Sequence, residues 1–282
     1  MSSFFDRFSA TGYVCAHRGA RSIAPENTWM ALERSRTCGA DLWEVDVQVT
    51  ADGELVLFHD HTLGRTTDVV AHPEFSDRHP WNLVDFTLNE LQKLDAGSWF
   101  LQTDPFETIV TGEVSRDDFP TIRAQRIPLL RDILKDCHQH DYPVNLEIKD
   151  QIRTIAGRAI VGKVLDLMKM TDTEHLVLIS SFNHDYLRQV KRLNPTIATA
   201  ALVEDKHPES LVTYLRDLNV DAYHPDQLIT DYILIRQLTT SGMRVNLWTV
   251  NDFERAQYFI EAGATLICTD WPQRMIDSGH ST

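Results

Sequence analysis

Five residues between positions 17 and 147 are of types that carry acid–base and metal chemistry: His17, Glu44, Asp46, His59 and Glu147. Histidine exchanges protons near neutral pH, and two of them can serve one reaction as acid and base. Several carboxylates close together in a partly dry site do not all stay ionised unaided. A hard divalent cation with oxygen ligands resolves that repulsion. Structural ion pairs with Arg18 and Lys149 resolve it too, and spacing leaves both readings open. Further polar residues accompany the five: Asp60, Ser180-Ser181, Trp248 and Thr269-Asp270. His224 is a secondary candidate. His61, His72, His79, His138, His140, His175, His184, His207 and His280 lack such a setting and read as surface or structural residues.

The surrounding sequence supplies elements able to position these groups. Strands are expected at Tyr13–His17, Leu42–Val49, Leu55–His59, Val144–Ile148, Leu176–Ile179, Ile197–Leu202, Asp221–Tyr223, Val245–Val250 and Thr265–Cys268. Helical patterns lie between them. One opens at about Asn27, a good N-cap, and stops near Gly39. Val161, Val164, Leu165 and Met168 mark one buried face, as do Phe253, Ala256 and Ile260, the latter ending at Gly263 as a C-cap. Repeated strand–helix units imply an α/β fold with a parallel sheet. About eight such strands in this length favour closure into a TIM (β/α)8 barrel over an open doubly wound sheet. No G-x-G-x-x-G follows the first strand, which argues against dinucleotide binding.

Catalytic groups of such barrels gather at the C-terminal ends of the strands, where the residues above fall. Strand alternation sharpens the picture. Trp43, Val45, Val47 and Val49 share one face, and Glu44, Asp46 and Gln48 the other. Val144, Leu146 and Ile148 likewise oppose Asn145, Glu147 and Lys149. With the apolar faces under helices, three carboxylates point into the barrel mouth. Residues 1–282 read as a single catalytic domain. The stretch 60–126 breaks the rhythm with His72-Pro73, His79-Pro80, Asp104-Pro105 and Phe119-Pro120, and reads as an insertion after the second strand, lying over one mouth.

A net charge of -14 repels nucleic acid and anionic membrane surfaces, so no nucleic-acid partner is expected and any phosphate site must be locally positive. No run approaches the roughly 20 apolar residues of a membrane span. Met1–Arg7 has no basic region leading into an apolar stretch. Cys15, Cys38, Cys137 and Cys268 show no CxxC spacing, and Cys15 and Cys268 sit in apolar runs as small core residues. The expected location is the cytoplasm. Only Ser278–Thr282 reads as disordered.

Ordered motifs then point to a family. Ala16-His17-Arg18-Gly19, Pro25-Glu26-Asn27-Thr28, Glu44-Val45-Asp46-Val47, Thr50-Ala51-Asp52-Gly53, His59-Asp60, Leu63 and Arg65-Thr66-Thr67 occur in sequence. Asp95-Ala96-Gly97-Ser98-Trp99, Ile127-Pro128, Asn145-Leu146-Glu147-Ile148-Lys149, Ser181-Phe182, Trp248-Thr249-Val250-Asn251 and Thr269-Asp270 follow. From about Val14 to Pro272 the chain resembles the glycerophosphodiester phosphodiesterases, and short bacterial members in particular. The resemblance implies a TIM barrel that hydrolyses glycerophosphodiesters to sn-glycerol 3-phosphate and an alcohol such as choline or ethanolamine. It implies a divalent ion, Mg²⁺ or Ca²⁺, on Glu44, Asp46 and Glu147, with His17 and His59 as the acid/base pair. It implies phosphate contacts from Arg18 and Lys149, and Phe182 and Trp248 packed near the glycerol. It also implies attack by the substrate's own 2-hydroxyl, and no G-x-S-x-G nucleophile motif competes with that route. Pro128-Leu129-Leu130 departs from the common Pro-Thr-Leu, and Arg131 stands where an acidic residue is frequent; neither is a catalytic position. A lysophospholipase D-type enzyme is the nearest alternative. A catalytically silent barrel that binds phosphodiesters or a protein partner is the other, and the presence of both histidines and all three carboxylates argues against it.

Overall fold

The computed structural model describes residues 3–278. The disorder expected for residues 278–282 and the surface role expected for His280 fall, from 279 onward, outside the described residues. Among the described residues one nine-stranded sheet forms, from β1 (Tyr13–Ala16), β2 (Leu42–Val49), β3 (Leu55–Leu57), β4 (Val144–Ile148), β5 (Val177–Ser181), β6 (Ala198–Val203), β7 (Ala222–Pro225), β8 (Arg244–Leu247) and β9 (Leu266–Thr269). Their order is β1-β9-β8-β7-β6-β5-β4-β2-β3, and β1 also pairs with β2. Only β3 runs antiparallel, against the end of β2. The other eight strands are parallel and close into a TIM barrel. The helical patterns fall outside the sheet, as at Ile160–Met170, His184–Leu193 and Phe253–Ala262.

Alternation sorts the side chains as expected. Trp43, Val45, Val47, Val49, Val144, Leu146 and Ile148 join helix residues Val161, Val164 and Met168 in the core between sheet and helices. Leu165 is partly buried against that core. Cys15 and Cys268 are buried free thiols, as expected. The last helical pattern needs one correction. Ala256, Phe259 and Ala262 form its buried face, while Phe253 is 39% exposed. Gly263 caps it at φ 106. A second correction concerns Asn27. The N-cap of helix Trp29–Thr37 is Thr28, whose side chain accepts from Ala31 N–H. Asn27 is engaged elsewhere, as described below.

A feature with no sequence signal closes the opposite end of the barrel. The 3-10 helix Ser3–Arg7 carries Phe4 and Phe5, and both pack with Phe8 against Leu42, Leu178, Ala198, Ala222 and Leu266. Apart from Leu178, those residues open their strands, so the three rings plug the N-terminal mouth. Arg244 lies over the Phe5 ring at 4.5 Å. Phe4→Ala is expected to cost about 3–5 kcal/mol, the range for emptying a buried aromatic site. Urea denaturation reads it as a lower midpoint at unchanged slope, and a loss under about 1 kcal/mol would show that the plug carries little stability.

Between β3 and helix Leu130–His140 the chain makes short helices and turns around two small cores. One joins Phe58, Leu63, Phe75, Leu83, Phe86 and Leu91. The other joins Phe100 and Ile122 to Ala20, Ile23, Ala24 and Met30, which follow β1. No helix among the described residues is long and apolar enough to cross a membrane.

Candidate active site

A close approach of backbones shapes the loop after β1. Gly19 has φ 82, and a Cβ there would stand 2.6 Å from Ala31 Cβ, so helix Trp29–Thr37 leaves room for glycine alone. Arg18 and Asn27 are also left-handed, at φ 52 and 54. They are joined by Asn27 N–H donating to Arg18 O at 3.0 Å. From this pair the loop reaches across to β2. Arg18 N–H donates to Glu44 Oε2 and Asn27 Nδ2 to Asp46 Oδ2, each at 2.8 Å. The β2–β4 register then sets Asp46 beside Glu147. Together these constraints bring one oxygen each of Glu44, Asp46 and Glu147 within 4.8 Å of one another, all three residues buried.

Both ways of holding such carboxylates are represented. Lys149 Nζ lies 2.7 Å from Glu147 and 3.4 Å from Asp46. Arg18 Nε stands 3.5 Å from Asp46, but its terminal nitrogen goes to Glu26 at 2.9 Å. Glu26 is buried and also takes Arg21 and Arg65, at 2.9 and 2.6 Å. Ion pairing therefore serves Asp46 and Glu147 and leaves out Glu44, whose Oε1 is buried with no protein partner. Burial, then the charges of Asp46 and Glu147, pushes the Glu44 carboxyl well above the usual range. Burial raises Glu147 as well, despite Lys149. Asp46 is equally buried, yet Lys149, His59 and Arg18 hold it low. An orphaned buried oxygen in an all-carboxylate donor set fits a hard divalent cation.

Each histidine is held by an aspartate. His17 Nδ1 lies 2.7 Å from Asp270 Oδ1, and His59 Nδ1 lies 2.6 Å from Asp60 Oδ1. An Nδ1–H donated to a carboxylate leaves Nε2 as the nitrogen free for chemistry. Burial, with the Arg18 charge second, lowers the His17 pKa even against Asp270. Asp60 and Asp270 resist the upward push of burial and stay low, through His59 and Arg65 for the first and His17 and Arg21 for the second. Gln48 fixes the loop that carries His59 by donating to the carbonyls of Phe58 and Asp60, at 2.9 and 2.7 Å.

A cavity of about 390 Å³ unites most of the residues nominated from sequence: His17, Arg18, Glu44, His59, Glu147, Lys149, Phe182 and Trp248 line it. Asp46 stands behind the lining, 1% exposed. Phe182 and Trp248 meet edge to face at 5.5 Å on its wall. His184 and His207 are spent structurally, on Tyr214 and Leu202 and on Tyr223 and Ile229. Sequence reasoning gave no site role to Glu26, Asp60 or Asp270, and it took Asn27 for a helix cap. Asp60 had a usable signal, its adjacency to His59. Asp270 had none as a partner of His17, 253 positions away, until the barrel closes β9 onto β1.

Comparison with known proteins agrees with this geometry. Residues 17–274 match the glycerophosphoryl diester phosphodiesterase family. A glycerophosphodiester phosphodiesterase of Caldanaerobacter subterraneus is 35% identical over 94% of this chain and 96% of its own. One from Bacillus altitudinis is 31% identical over 93% and 96%. Among solved structures, an Oleispira antarctica phosphodiesterase in complex with the product sn-glycerol 3-phosphate is 27% identical, with a TM-score of 0.81 over 99% of both chains. The chain belongs to the glycerophosphoryl diester phosphodiesterase family and is an enzyme of that kind.

Proposed function

We propose that this enzyme hydrolyses glycerophosphodiesters to sn-glycerol 3-phosphate and an alcohol by a metal-dependent, two-histidine route. The carrying observation is that two imidazoles, each oriented by a carboxylate, share one cavity with the acidic cluster, Arg18 and Lys149. Glu44, Asp46 and Glu147 would hold the cation, Mg²⁺ or Ca²⁺, which when bound offsets phosphoryl charge. Arg18 and Lys149 contact the phosphate, and Phe182 and Trp248 pack on the glycerol. One histidine takes the proton of the substrate's 2-hydroxyl, whose oxygen forms a bond to phosphorus. The bond from phosphorus to the departing alcohol breaks, and the other histidine protonates that alcohol. A cyclic 1,2-phosphate results. Water then opens it with the two roles exchanged, giving sn-glycerol 3-phosphate. An intramolecular nucleophile already stands near phosphorus, so little entropy is lost in bringing it there. The product bound by the Oleispira antarctica protein supports the substrate class.

The segment 60–126 belongs to the same single domain in this reading and covers the barrel mouth. Its contacts support that placement. Arg65 reaches Glu26, Thr108 donates to Ser22 O at 2.7 Å, and Phe106 packs on Trp271 at 5.5 Å, all beside the loops after β1 and β9. We assign the enzyme to the cytoplasm, where its four free cysteines would stay reduced.

A 2-deoxy analogue of glycerophosphocholine tests the nucleophile. It is expected to compete with the natural substrate and to release no choline. Release at a rate near that of glycerophosphocholine would rule out the neighbouring hydroxyl and leave direct attack by water.

A further inference from the structure

Four barrel strands carry buried polar atoms that the chemistry above does not use. They are Asn145 Oδ1 on β4, Ser180 Oγ on β5, His224 Nε2 on β7 and Asn246 Oδ1 on β8, and none has a protein partner. All four residues are at most 2% exposed and line the active-site cavity. Orphaned buried polar groups are rare, because each costs the solvation it lost. Four around one cavity amount to a built surface. Asn145, Ser180 and Asn246 stand two residues back along the chain from Glu147, Phe182 and Trp248, and with His224 they form the floor beneath the ionic centre and the aromatic wall.

We propose that this floor is an uncharged hydroxyl-binding subsite that takes the glycerol end of the substrate and makes the enzyme selective for it. The proposal rests on the glycerophosphodiester reading and specifies which residues recognise the glycerol. Asn246 Nδ2 lies 3.5 Å from His224 Nδ1, and since an amide nitrogen donates, His224 Nδ1 accepts and its Nε2 carries the hydrogen. Burial holds His224 neutral, pushing its pKa down to about 3. The floor thus offers two amide oxygens as acceptors, one imidazole N–H as donor, and a serine hydroxyl that does both. Hydroxyl groups, which donate and accept, match that set. A phosphate or a quaternary ammonium matches it poorly, because neither finds a counter-charge among these four groups. The glycerol end is common to every substrate of this class, whereas the alcohol varies. A rigid, enclosed floor suits the constant part, and the solvent side of the cavity, beyond the aromatic wall, suits the variable one.

Asn246→Leu and Ser180→Ala in the full-length enzyme test this. Replacing an orphaned polar group by an apolar one of similar shape should leave the fold at least as stable. Ser180→Ala is expected to melt at or above the wild-type temperature, whereas Asn246→Leu, which also removes the hydrogen bond to His224 Nδ1, should melt somewhat lower and remain folded by circular dichroism. In calorimetry with divalent cation present, the Kd for sn-glycerol 3-phosphate should rise about 10-fold in Asn246→Leu, the size expected for a lost buried hydrogen bond. The Kd for inorganic phosphate should stay put, because phosphate needs only the ionic centre. Equal weakening of both ligands, or unchanged affinity for sn-glycerol 3-phosphate in both variants, overturns the proposal. So does a changed preference between choline and ethanolamine diesters at constant sn-glycerol 3-phosphate affinity, which would give the floor to the alcohol. Wild-type enzyme that releases no choline from glycerophosphocholine removes the underlying reading, and that failure shows before any variant is made.

Discussion

Enzyme stripped of divalent cations is expected to lose turnover of glycerophosphocholine altogether and to regain it on addition of Mg²⁺ or Ca²⁺. The expectation rests on Glu44. Lys149 neutralises Glu147 and part of the Asp46 charge, and Arg18 is shared between Asp46 and Glu26. Glu44 keeps one oxygen on the Arg18 backbone and the other without a partner, in full burial. A buried carboxylate in that state favours either a proton or a cation. Glu44→Gln keeps the shape and the backbone contact but gives up the charge. The variant should fold like wild type by circular dichroism and need much higher cation for half-maximal activity. Full activity after exhaustive chelation, with no metal found by elemental analysis, would leave the carboxylates with a purely structural role.

Replacing either histidine of the proposed acid/base pair should have an effect of comparable size. His17→Ala and His59→Ala are each expected to lower kcat by roughly 10²–10⁴-fold, the usual contribution of a positioned acid or base. Neither side chain belongs to the acidic cluster, so cation binding by calorimetry should survive in both variants. The paired aspartates offer a finer control. Asp270→Asn keeps a hydrogen-bonding group beside His17 Nδ1 but removes the charge that favours the imidazolium and sets the tautomer. It should lower kcat with little change in KM, because it acts through His17 and not on the substrate. A His17 or His59 variant with near-wild-type kcat would remove that residue from the mechanism.

Much of this was legible locally. Side-chain direction along a strand has a period of two, so Leu42–Val49 and Val144–Lys149 by themselves separate the carboxylates from the valines and predict one acidic face. Strand–helix repetition predicts the barrel, and barrel physics places chemistry at strand ends. Hence His17, Glu44, Asp46, His59 and Glu147 could be named without coordinates. Asn27 shows where local reading fails. Its type and position suggest a helix cap, but Thr28 takes that role, and Asn27 turns to Asp46 on the adjacent strand. Two residues competed for one cap, and only the tertiary partner decided between them.

The rest depended on closure and depth, which no spacing along the chain encodes. Asp270 meets His17 because the ninth strand pairs with the first. Arg18 is claimed largely by Glu26, a competition that became visible once Arg21 and Arg65 were seen around the same carboxylate. Asn145, Ser180, His224 and Asn246 lie on four strands and look unremarkable one at a time. They become a floor only when the barrel brings them around one cavity and leaves one polar atom of each without a partner. Sequence by itself determined which chemical groups this protein holds and which way each strand presents them, because those follow from residue type and backbone period. Tertiary structure decided which group partners which, because that depends on strands far apart in the chain meeting across a closed sheet.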